Sequence, residues 1–316
     1  MHFLITGGAG FLGAHLANRL AADGHHVRVV DDLSSGDRSH LSPQVHFNRG
    51  DVNNIPFMWS MLQDVDCVYH LAARVSVAQS VLYPRDYNDA NVGGTVSVME
   101  AMRDAGVRRV VLASSGAIYG DLPVQPVSED MIPSPDSPYA VSKWAAEQYV
   151  HTIGHLWGIE TVALRIFNAY GPRQSLPLSH APVVPRFLRQ ALGGGSLVLF
   201  GDGNQTRDFI YVSDVVAALV AAAQATGVDR EVINVGSGQE STISYLADLV
   251  AEVTGRKTNR VHNTAKSGGV QRLVANISRA RRLLDWEPQI SLAAGLARTL
   301  AEDERFRSHV PSSLPR

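Results

Sequence analysis

The chain has 316 residues and a mass of 34.1 kDa; 45% of its residues are hydrophobic and 18% are charged, which excludes a disordered chain and allows a large buried core. The formal net charge of -2 and the pI near 6.6 exclude a broad positive field, so we expect no binding to nucleic acid or to a membrane surface. Because Cys67 is the single cysteine, no internal disulfide can form, and a reducing compartment is expected.

The first half of the chain alternates short runs of β-branched residues with amphipathic stretches. Strands are predicted at residues 2–5, 26–30, 45–48, Cys67–His70, 109–113 and 161–165. Helices are predicted at Phe11–Ala22, 92–105 and 139–157. This alternation predicts βαβ units, and hence an α/β fold with a doubly wound parallel sheet of the Rossmann type.

Beyond residue 168 this pattern loosens, because prolines and a triple glycine interrupt residues 168–207. We predict a smaller, loop-rich α/β substrate lobe there. The following elements are predicted to be strands at 209–212 and Glu231–Val235 that return to the main sheet, and helices at 215–225, 241–254 and Ser278–Leu284. The predicted boundaries are residues 1–168 plus about 209–237 for the main domain, and about 169–208 plus 238–316 for the smaller lobe.

The apolar segments of the chain predict neither a signal peptide nor a membrane-spanning helix. Residues 1–6 are apolar, but they lead into glycines without a basic start or a cleavage pattern, which argues against a signal peptide. The longest apolar stretch, residues 215–223, is far shorter than the ~18 residues of a membrane span. We therefore expect a cytoplasmic protein.

A glycine-rich turn, Thr6-Gly7-Gly8-Ala9-Gly10-Phe11-Leu12-Gly13, connects the first predicted strand to the first predicted helix. Such a turn lets a pyrophosphate approach the backbone and the free N–H groups at a helix N-terminus. Asp31 ends the second predicted strand about 20 residues later, where a carboxylate can accept hydrogen bonds from the ribose of an adenosine. Asp31 and Asp32 would repel a 2′-phosphate, so the sequence predicts NAD rather than NADP.

Tyr139 and Lys143 are four residues apart, which places them one turn apart on one face of a helix. An ammonium group stabilises a nearby phenolate, so Tyr139 is predicted to take a proton from a substrate hydroxyl. Residues 112–120 run off the end of a predicted strand, where ligands of open α/β sheets bind, and Ser115 there is predicted to hydrogen-bond the reacting oxygen. A protein that only binds a dinucleotide, as a sensor or scaffold, has no need of all three residues.

With these motifs in this order, the chain resembles the extended short-chain dehydrogenase/reductases, within them the NAD-dependent epimerase/dehydratase family, and most of all the UDP-glucose 4-epimerase group. The resemblance spans nearly the whole chain, and it is carried by residues 6–13, 31–36, 50–52, 70–73, 91–92, 114–115, Tyr139 with Lys143, 165–168, 207–212 and 234–236. No single motif decides, but their shared order is highly specific.

The resemblance implies a role for each matching position. Catalysis falls to Ser115, Tyr139 and Lys143. Residues of the glycine turn and of the strand ends would bind NAD: Gly7, Gly10, Phe11, Leu12, Gly13, Asp31, Asp32, Leu33, Ser35, Gly36, Asp51, Val52, Leu71, Ala72, Ala73, Asn91, Ala113, Ser114, Tyr139, Lys143, Ile166 and Phe167. The UDP-sugar would contact Ser76, Ser115, Asn168, Val198, Phe200, Arg207 and Leu273. Asn168 and Arg207 would hold its diphosphate, and the backbone at 198–200 would meet its base. The helices at 91–105 and 139–157 imply a homodimer.

The reaction is predicted from what the chain lacks beside Ser115. Relatives that dehydrate the sugar, or decarboxylate UDP-glucuronate, carry acids just after this serine, whereas this chain has Gly116 and Ala117. The simplest chemistry is then oxidation at carbon 4 and return of hydride to the other face, which is epimerisation. Dehydration, decarboxylation and a non-catalytic role stay open as alternatives.

The identity of the sugar also stays open. The stretch 266–269 reads Lys-Ser-Gly-Gly, so the acid that usually follows the glycine near the nucleotide ribose is missing at Gly269. Leu273 stands where relatives carry either a bulky or a small residue, which leaves an N-acetyl group possible. Four arginines are candidates to pair with a hexuronate carboxylate: Arg74, Arg173, Arg186 and Arg272. His151 and His155 share a helix face, but with no third ligand nearby we predict no metal.

Overall fold

A computed structural model describes residues 1–177, 181–264 and 269–307. The strands are β1 His2–Thr6, β2 His26–Asp31, β3 His46–Arg49, β4 Cys67–His70, β5 Arg109–Ser115, β6 Glu160–Ile166, β7 Asn168–Tyr170, β8 Leu197–Phe200, β9 Thr206–Arg207, β10 Phe209–Tyr211, β11 Glu231–Val235, β12 Ser241–Thr242 and β13 Arg260–Asn263. The helices are α1 Phe11–Ala22, α2 Ile55–Met61, α3 Val77–Leu82, α4 Pro84–Tyr87, α5 Gly94–Ala105, α6 Pro138–Trp157, α7 Val183–Leu192, α8 Val212–Gln224, α9 Ile243–Thr254, α10 Ser278–Leu284, α11 Leu292–Glu302 and α12 Glu304–Arg307.

The main sheet has seven strands in the order β11-β6-β5-β4-β1-β2-β3, and neighbouring strands pair in parallel. The predicted doubly wound parallel sheet is therefore confirmed. The strand order reverses between β1 and β4, since the chain first builds outward to β3 and then returns to the other side of β1. In open α/β sheets a ligand crevice lies outside the carboxyl ends of the strands at such a reversal.

Successive side chains of each strand point to opposite faces of the sheet, and each face packs into its own hydrophobic core. In β1, Phe3 and Ile5 enter a core with helices α1 and α8, whereas Leu4 between them enters the opposite core. Side chains of α2, α5 and α6 cover that second face. Both faces of the sheet are thus buried, which is why the central strands read as continuous apolar runs rather than as alternating ones.

Cys67 lies at the start of β4 and is fully buried, as expected for a structural thiol, and burial raises its pKa to about 12. A thiol with so high a pKa is unreactive at neutral pH. Across the residues that the structure covers, no helix is both long and apolar enough to cross a membrane.

Two local predictions differ from the structure. The strand predicted at 209–212 does not join the main sheet: β10 pairs with β7 in a separate two-stranded sheet, and only β11 returns to the main one. The reason is a backbone link, because Asn168 N donates to the Asp208 carbonyl and holds this pair beyond the end of β6. The helix predicted to start at residue 92 begins at Gly94, after a π-helical turn over Asn88–Gly93.

Candidate active site

The glycine turn after β1 is packed so closely that side chains do not fit. Gly7 has a left-handed φ of +67°, and a Cβ there would lie 2.7 Å from Ala72 Cα. A Cβ on Gly13 would lie 2.3 Å from the Gly7 carbonyl oxygen, so the first turn of α1 rests on the loop itself. The N-cap of α1 is Gly10, which has no side chain to cap the free N–H groups of the first turn. These N–H groups face the crevice at the sheet reversal, which fits a pyrophosphate.

Asp31 lies beside this turn at the carboxyl end of β2. Its carboxylate accepts hydrogen bonds from Ala9 N at 3.0 Å and from Leu33 N at 2.9 Å. Burial raises the pKa of Asp31, and these backbone donors oppose the rise. Leu33 reaches Asp31 because its backbone is left-handed, with φ of 63°. A Cβ on Gly36 would lie 2.9 Å from Asp31 Oδ1, so the 31–36 loop wraps tightly around the carboxylate.

The ends of β3 and β4 complete the cofactor side. Val52 is buried and Asp51 is exposed at the end of β3, next to β2. After β4, Leu71 N donates to the Thr6 carbonyl and Ala72 N donates to the Thr6 hydroxyl, which ties the two sides of the crevice together. The residues predicted to line NAD thus converge on one edge of the sheet, although Ser35 is exposed there.

Asn91 was predicted to contact NAD, and the structure uses its side chain within the protein. The amide group accepts from Arg74 N at 2.7 Å and donates to the Arg74 carbonyl and to the Ser142 hydroxyl. It therefore clamps the loop after β4 to helix α6, one residue before Lys143. The π-helical turn carries Asn91 in its fourth position, and π-helical turns are often found at functional sites.

The catalytic residues predicted from the sequence meet at the end of β5. Ser115 and Lys143 are buried, and the hydroxyl groups of Ser115 and Tyr139 are hydrogen-bonded. Ser115 Oγ also accepts from Ala117 N at 3.2 Å, which leaves its proton available to Tyr139. Ser137 caps α6 by accepting from Ala140 N, so the helix begins just before Tyr139 and fixes its position.

Burial shifts the pKa values of both Tyr139 and Lys143. Burial raises the pKa of Tyr139, and the hydrogen bond with Ser115 only partly opposes this. Burial also lowers the pKa of Lys143 to about 8. A positive charge beside Tyr139, such as the Lys143 ammonium or a bound nicotinamide ring, would oppose the effect of burial and favour the phenolate.

A buried histidine stands behind Lys143. His70 bridges Thr6 Oγ1 at 2.7 Å and Thr95 Oγ1 at 2.9 Å. Thr95 donates its own proton to the Asn91 carbonyl, so His70 Nε2 donates to Thr95 and His70 Nδ1 accepts from Thr6. Burial and the Lys143 charge lower the pKa of His70 to about 3, which keeps it neutral.

A chain of buried polar groups below the site was not predicted. Ser114 Oγ donates to Glu147 at 2.7 Å, and Glu147 forms a two-pronged ion pair with Arg165 at 2.7 and 3.1 Å. Arg165 donates to the Tyr119 hydroxyl, which donates to Asn234. The spacing in the sequence could have indicated Glu147. It follows Lys143 by four residues, which places an acid on the same face of the helix as Tyr139 and Lys143.

The predicted diphosphate ligands lie on two short strands, β7 and β9, that belong to separate two-stranded sheets. Asn168 begins β7, and its side chain donates to the Asp208 carbonyl at 3.3 Å. Arg207 ends β9 and donates to the carbonyls of Thr206 and Val270, each at 2.6 Å. Burial lowers the pKa of Arg207, but a guanidinium stays charged at neutral pH.

Asp208 anchors this pair and was not predicted. Its fully buried carboxylate accepts from Ser237 N and Oγ at 2.6 Å, Gly238 N at 2.9 Å and Ala275 N at 3.1 Å. Three separate segments thus meet at the residue next to Arg207. Burial raises the pKa of Asp208, and the four donors oppose the rise.

Several backbone groups of residues 198–200, the segment predicted to contact the base, already form hydrogen bonds within the protein. The Val198 N–H donates to the Gln190 side chain, and the Val198 carbonyl accepts from Arg186. The Phe200 carbonyl accepts from Gln205 at 2.7 Å. Arg186 also stacks on the Phe200 ring at 4.4 Å from its centre. Any base bound here would meet the side chain of Arg186 as well as backbone.

The sugar side is walled by apolar groups. Phe167 is buried in a cluster with Leu273, and a Cβ on Gly116 would lie 3.1 Å from its ring. Ser76, predicted to contact substrate, caps α3 by accepting from Gln79 N at 3.3 Å. Its hydroxyl also bonds Tyr87, whose ring packs edge-on against Tyr139.

The arginines considered for a carboxylate have other partners. Arg74 lies 3.6 Å from Asp86, and Arg272 forms a close pair with Glu240. Arg173 donates to the His40 carbonyl. Positions 266–268 lie outside the described residues, and Gly269 lies near Arg207. His151 Nδ1 is bonded to Thr161, and in the described ranges no three His, Cys, Asp or Glu residues are grouped as metal ligands.

Comparison with known proteins gives consistent results. The model of the NAD dependent epimerase/dehydratase family matches residues 3–236. The UDP-glucose 4-epimerase of Mycolicibacterium smegmatis is 39% identical over 98% of this chain and 99% of its own. The crystal structure of the Thermotoga maritima UDP-glucose 4-epimerase with UDP-glucose has a TM-score of 0.93 and 36% identity, covering 98% of this chain and 100% of that one. The Bacillus cereus UDP-glucuronic acid 4-epimerase, in complex with UDP-glucuronic acid and NAD, has a TM-score of 0.87 and 32% identity, covering 95% and 98%.

The close packing at Gly13 gives a test of the cofactor site. Gly13→Ala is expected to lower NAD affinity by at least about tenfold, because its Cβ would force α1 away from the turn. Gly195→Ala is the matched control, since a Cβ there makes an ordinary contact of 3.5 Å with Gln190 O. Calorimetric titration with NAD measures both, and equal affinities would contradict the assigned site.

Proposed function

Because the chain belongs to the NAD-dependent epimerase/dehydratase family, we propose that it is an enzyme that inverts carbon 4 of a UDP-sugar, with NAD as its cofactor. The observation that carries the proposal is local: Ser115 and Tyr139 are hydrogen-bonded at the end of β5, beside Gly116 and Ala117, and buried Lys143 follows one turn later in α6. Those two positions offer no acid that could remove a second proton or expel water.

Each catalytic residue has one task. When bound, NAD⁺ would supply the hydride acceptor for carbon 4, then in its reduced form the hydride donor, and a positive charge in the oxidised form. Tyr139 takes the proton of the 4-hydroxyl as the carbon is oxidised, and gives it back as the carbon is reduced. Ser115 orients that oxygen through its hydroxyl, and Lys143, one turn of α6 after Tyr139, would hold the cofactor ribose and contribute its positive charge.

Inversion requires that the 4-keto sugar turns before it is reduced. The nucleotide must stay in place while this happens, and we assign that grip to Asn168 and Arg207 on the strands that Asp208 anchors. Phe167, Leu273 and Gly116 form an apolar wall that offers the sugar ring no directed hydrogen bonds from their side chains. The pocket thus grips one end of the substrate and leaves the other loose.

The proposal divides the chain as the sequence suggested. Residues 1–168 and about 209–237 bind NAD, and about 169–208 with 238–316 bind the sugar nucleotide. The relatives named above act on UDP-glucose or UDP-glucuronic acid, and both sugars, with their N-acetylated counterparts, are substrates to be tested. Dehydration or decarboxylation, and a purely NAD-binding role, are the alternatives that the same assay separates.

The protein is also proposed to form a homodimer through α5 and α6. Helix α6 carries exposed apolar side chains spaced by eight and seven residues, Val141, Tyr149 and Leu156, at 50%, 47% and 71% exposure. This spacing places them on one side of the helix. A groove of about 540 Å³ lies alongside, between Val92 and Val141. A second copy of the chain would cover this face.

Incubation with a panel of UDP-sugars tests the reaction. The product is expected to keep the mass of the substrate and to differ only in configuration at carbon 4. In deuterated water no deuterium should enter carbon 4, because the hydrogen leaves and returns as hydride. Mass spectrometry and NMR read both points. A product lighter by water or carbon dioxide would replace epimerisation by dehydration or decarboxylation, and no product from any sugar would favour the NAD-binding role.

Tyr139→Phe tests the proton acceptor. Removing one hydroxyl is expected to lower kcat by at least about 100-fold, the usual contribution of a general acid–base residue, while bound NAD is retained. NAD is quantified after denaturation, and turnover by coupled assay. The control is Tyr245→Phe, which makes the same change at a half-exposed tyrosine of α9. Wild-type turnover in Tyr139→Phe would disprove the assigned mechanism.

Charge placed on the exposed face of α6 tests the dimer. The double variant Val141→Glu/Leu156→Glu is expected to sediment as a monomer, because two carboxylates would be buried in each half of the interface. Ile132→Glu, at an exposed isoleucine outside these helices, should leave the dimer intact. A monomeric wild type at micromolar concentration would rule out the dimer.

A further inference from the structure

Glu147 is a fully buried acid on α6 that the proposed reaction does not use. One oxygen accepts from Ser114 Oγ at 2.7 Å and from Arg165 Nε at 3.1 Å, and the other accepts from Arg165 Nη2 at 2.7 Å. Three donors, two of them from a cation, satisfy its lone pairs. The carboxylate and Arg165 thus form a buried ion pair.

The position of this carboxylate relative to the catalytic helix face is fixed by spacing. Tyr139, Lys143 and Glu147 follow one another at four-residue intervals in α6, so their side chains form one row. Lys143 and Glu147 are both buried, with no bulk water between them to screen their charges. Through Ser114, Glu147 also holds the residue that precedes Ser115 in β5.

We propose that Glu147 is a positioning residue for catalysis, which keeps the Lys143 ammonium charged and fixes the end of β5 beside Tyr139. Burial lowers the pKa of Lys143 to about 8, and the charge of Glu147 is what opposes this fall. Without Glu147, Lys143 would lose its proton closer to neutral pH. The proposal rests on the proposed function, since the Lys143 charge matters through Tyr139.

Other titratable groups around Lys143 do not take this role. His70 on β4 is neutral, and burial raises the pKa values of Tyr139 and of Tyr87 on α4, so none of these supplies a negative charge. Arg165 on β6 is a cation already paired with Glu147. Asp89 on the π-helical turn is 61% exposed and lies 3.6 Å from Arg85.

The composition of the chain makes a direct measurement possible. Lysine occurs only at positions 143, 257 and 266, so protein labelled with ¹³C at lysine Cε gives few side-chain signals. Lys257→Arg and Lys266→Arg identify them by loss of one signal each. A pH titration of the purified, NAD-containing protein then reports the charge of Lys143 itself, independently of any turnover.

Glu147→Gln keeps the size and the acceptor oxygen of the side chain and removes its charge. The Lys143 midpoint is expected to fall by at least about one pH unit, so that neutral Lys143 becomes about tenfold more abundant relative to charged Lys143. Glu129→Gln is the matched control. Glu129 is also a buried acid beside an arginine, Arg279, and accepts from Asn234 N in the same polar chain, so its loss should leave Lys143 unchanged.

An unchanged Lys143 midpoint in Glu147→Gln, or an equal fall in Glu129→Gln, overturns the proposal. If Glu147→Gln does not fold, Glu147→Asp is the second variant. It keeps a carboxylate that can pair with Arg165, on a side chain that is shorter by one methylene. The titration midpoint of Lys143 is then expected to fall by a smaller amount. An unchanged midpoint there is equally contrary to the proposal.

Kinetics supply the functional readout. In Glu147→Gln the alkaline limb of the kcat profile should move to lower pH with the midpoint of Lys143, while KM for the UDP-sugar changes little. A limb that stays in place while the midpoint moves would refute the catalytic role of Glu147. A wild type that converts no UDP-sugar would instead refute the proposed function and leave the titration result standing.

Discussion

The register of the parallel strands is the constraint on which the site depends. Thr6 pairs with His70, His70 with Leu112, and Ser115 with Ile166, so the carboxyl ends of β1, β4, β5 and β6 reach one edge of the sheet together. A slip of one residue would turn every side chain of a strand to the opposite face and exchange its two cores. β1 and β4 end level with Leu112, and β5 and β6 continue three residues farther, so the catalytic serine and the substrate wall lie beyond the cofactor turn at the same edge of the sheet.

Two buried carboxylates, Asp208 and Glu147, lie below that edge, and they are stabilised in different ways. Asp208 is surrounded by neutral donors from two segments, Ser237–Gly238 and Ala275, whereas Glu147 is matched by the guanidinium of Arg165. Buried ionic groups contribute little net stability compared with apolar packing, but they tolerate few alternative geometries. Their place next to Arg207 and one turn after Lys143 is consistent with a need for position rather than for stability.

Local patterns explain what the sequence predicted. Alternating strands and helices, the tight turn at Gly7 and the four-residue spacing of Tyr139 and Lys143 are short-range features, and the structure contains them near the predicted bounds. The sheet partner of β10 and the clamp at Asn91 depend on contacts between residues far apart in the chain, which periodicity does not encode. Burial, which raises the pKa of Tyr139, is a property of the whole fold, and no local pattern shows it.

The contact between Gly116 and Phe167 also limits how this pocket could change over evolutionary time. The family resemblance implies that enzymes of this kind that dehydrate their sugar carry acids at the positions of Gly116 and Ala117. At Gly116 even a methyl group would meet the Phe167 ring at 3.1 Å, and that ring is itself packed in a cluster with Leu273. An acid could therefore be accommodated only after the aromatic ring had moved or become smaller. The order of substitutions is thus constrained: the wall would have to change first, and the new chemistry could follow only in a lineage that had already accepted it.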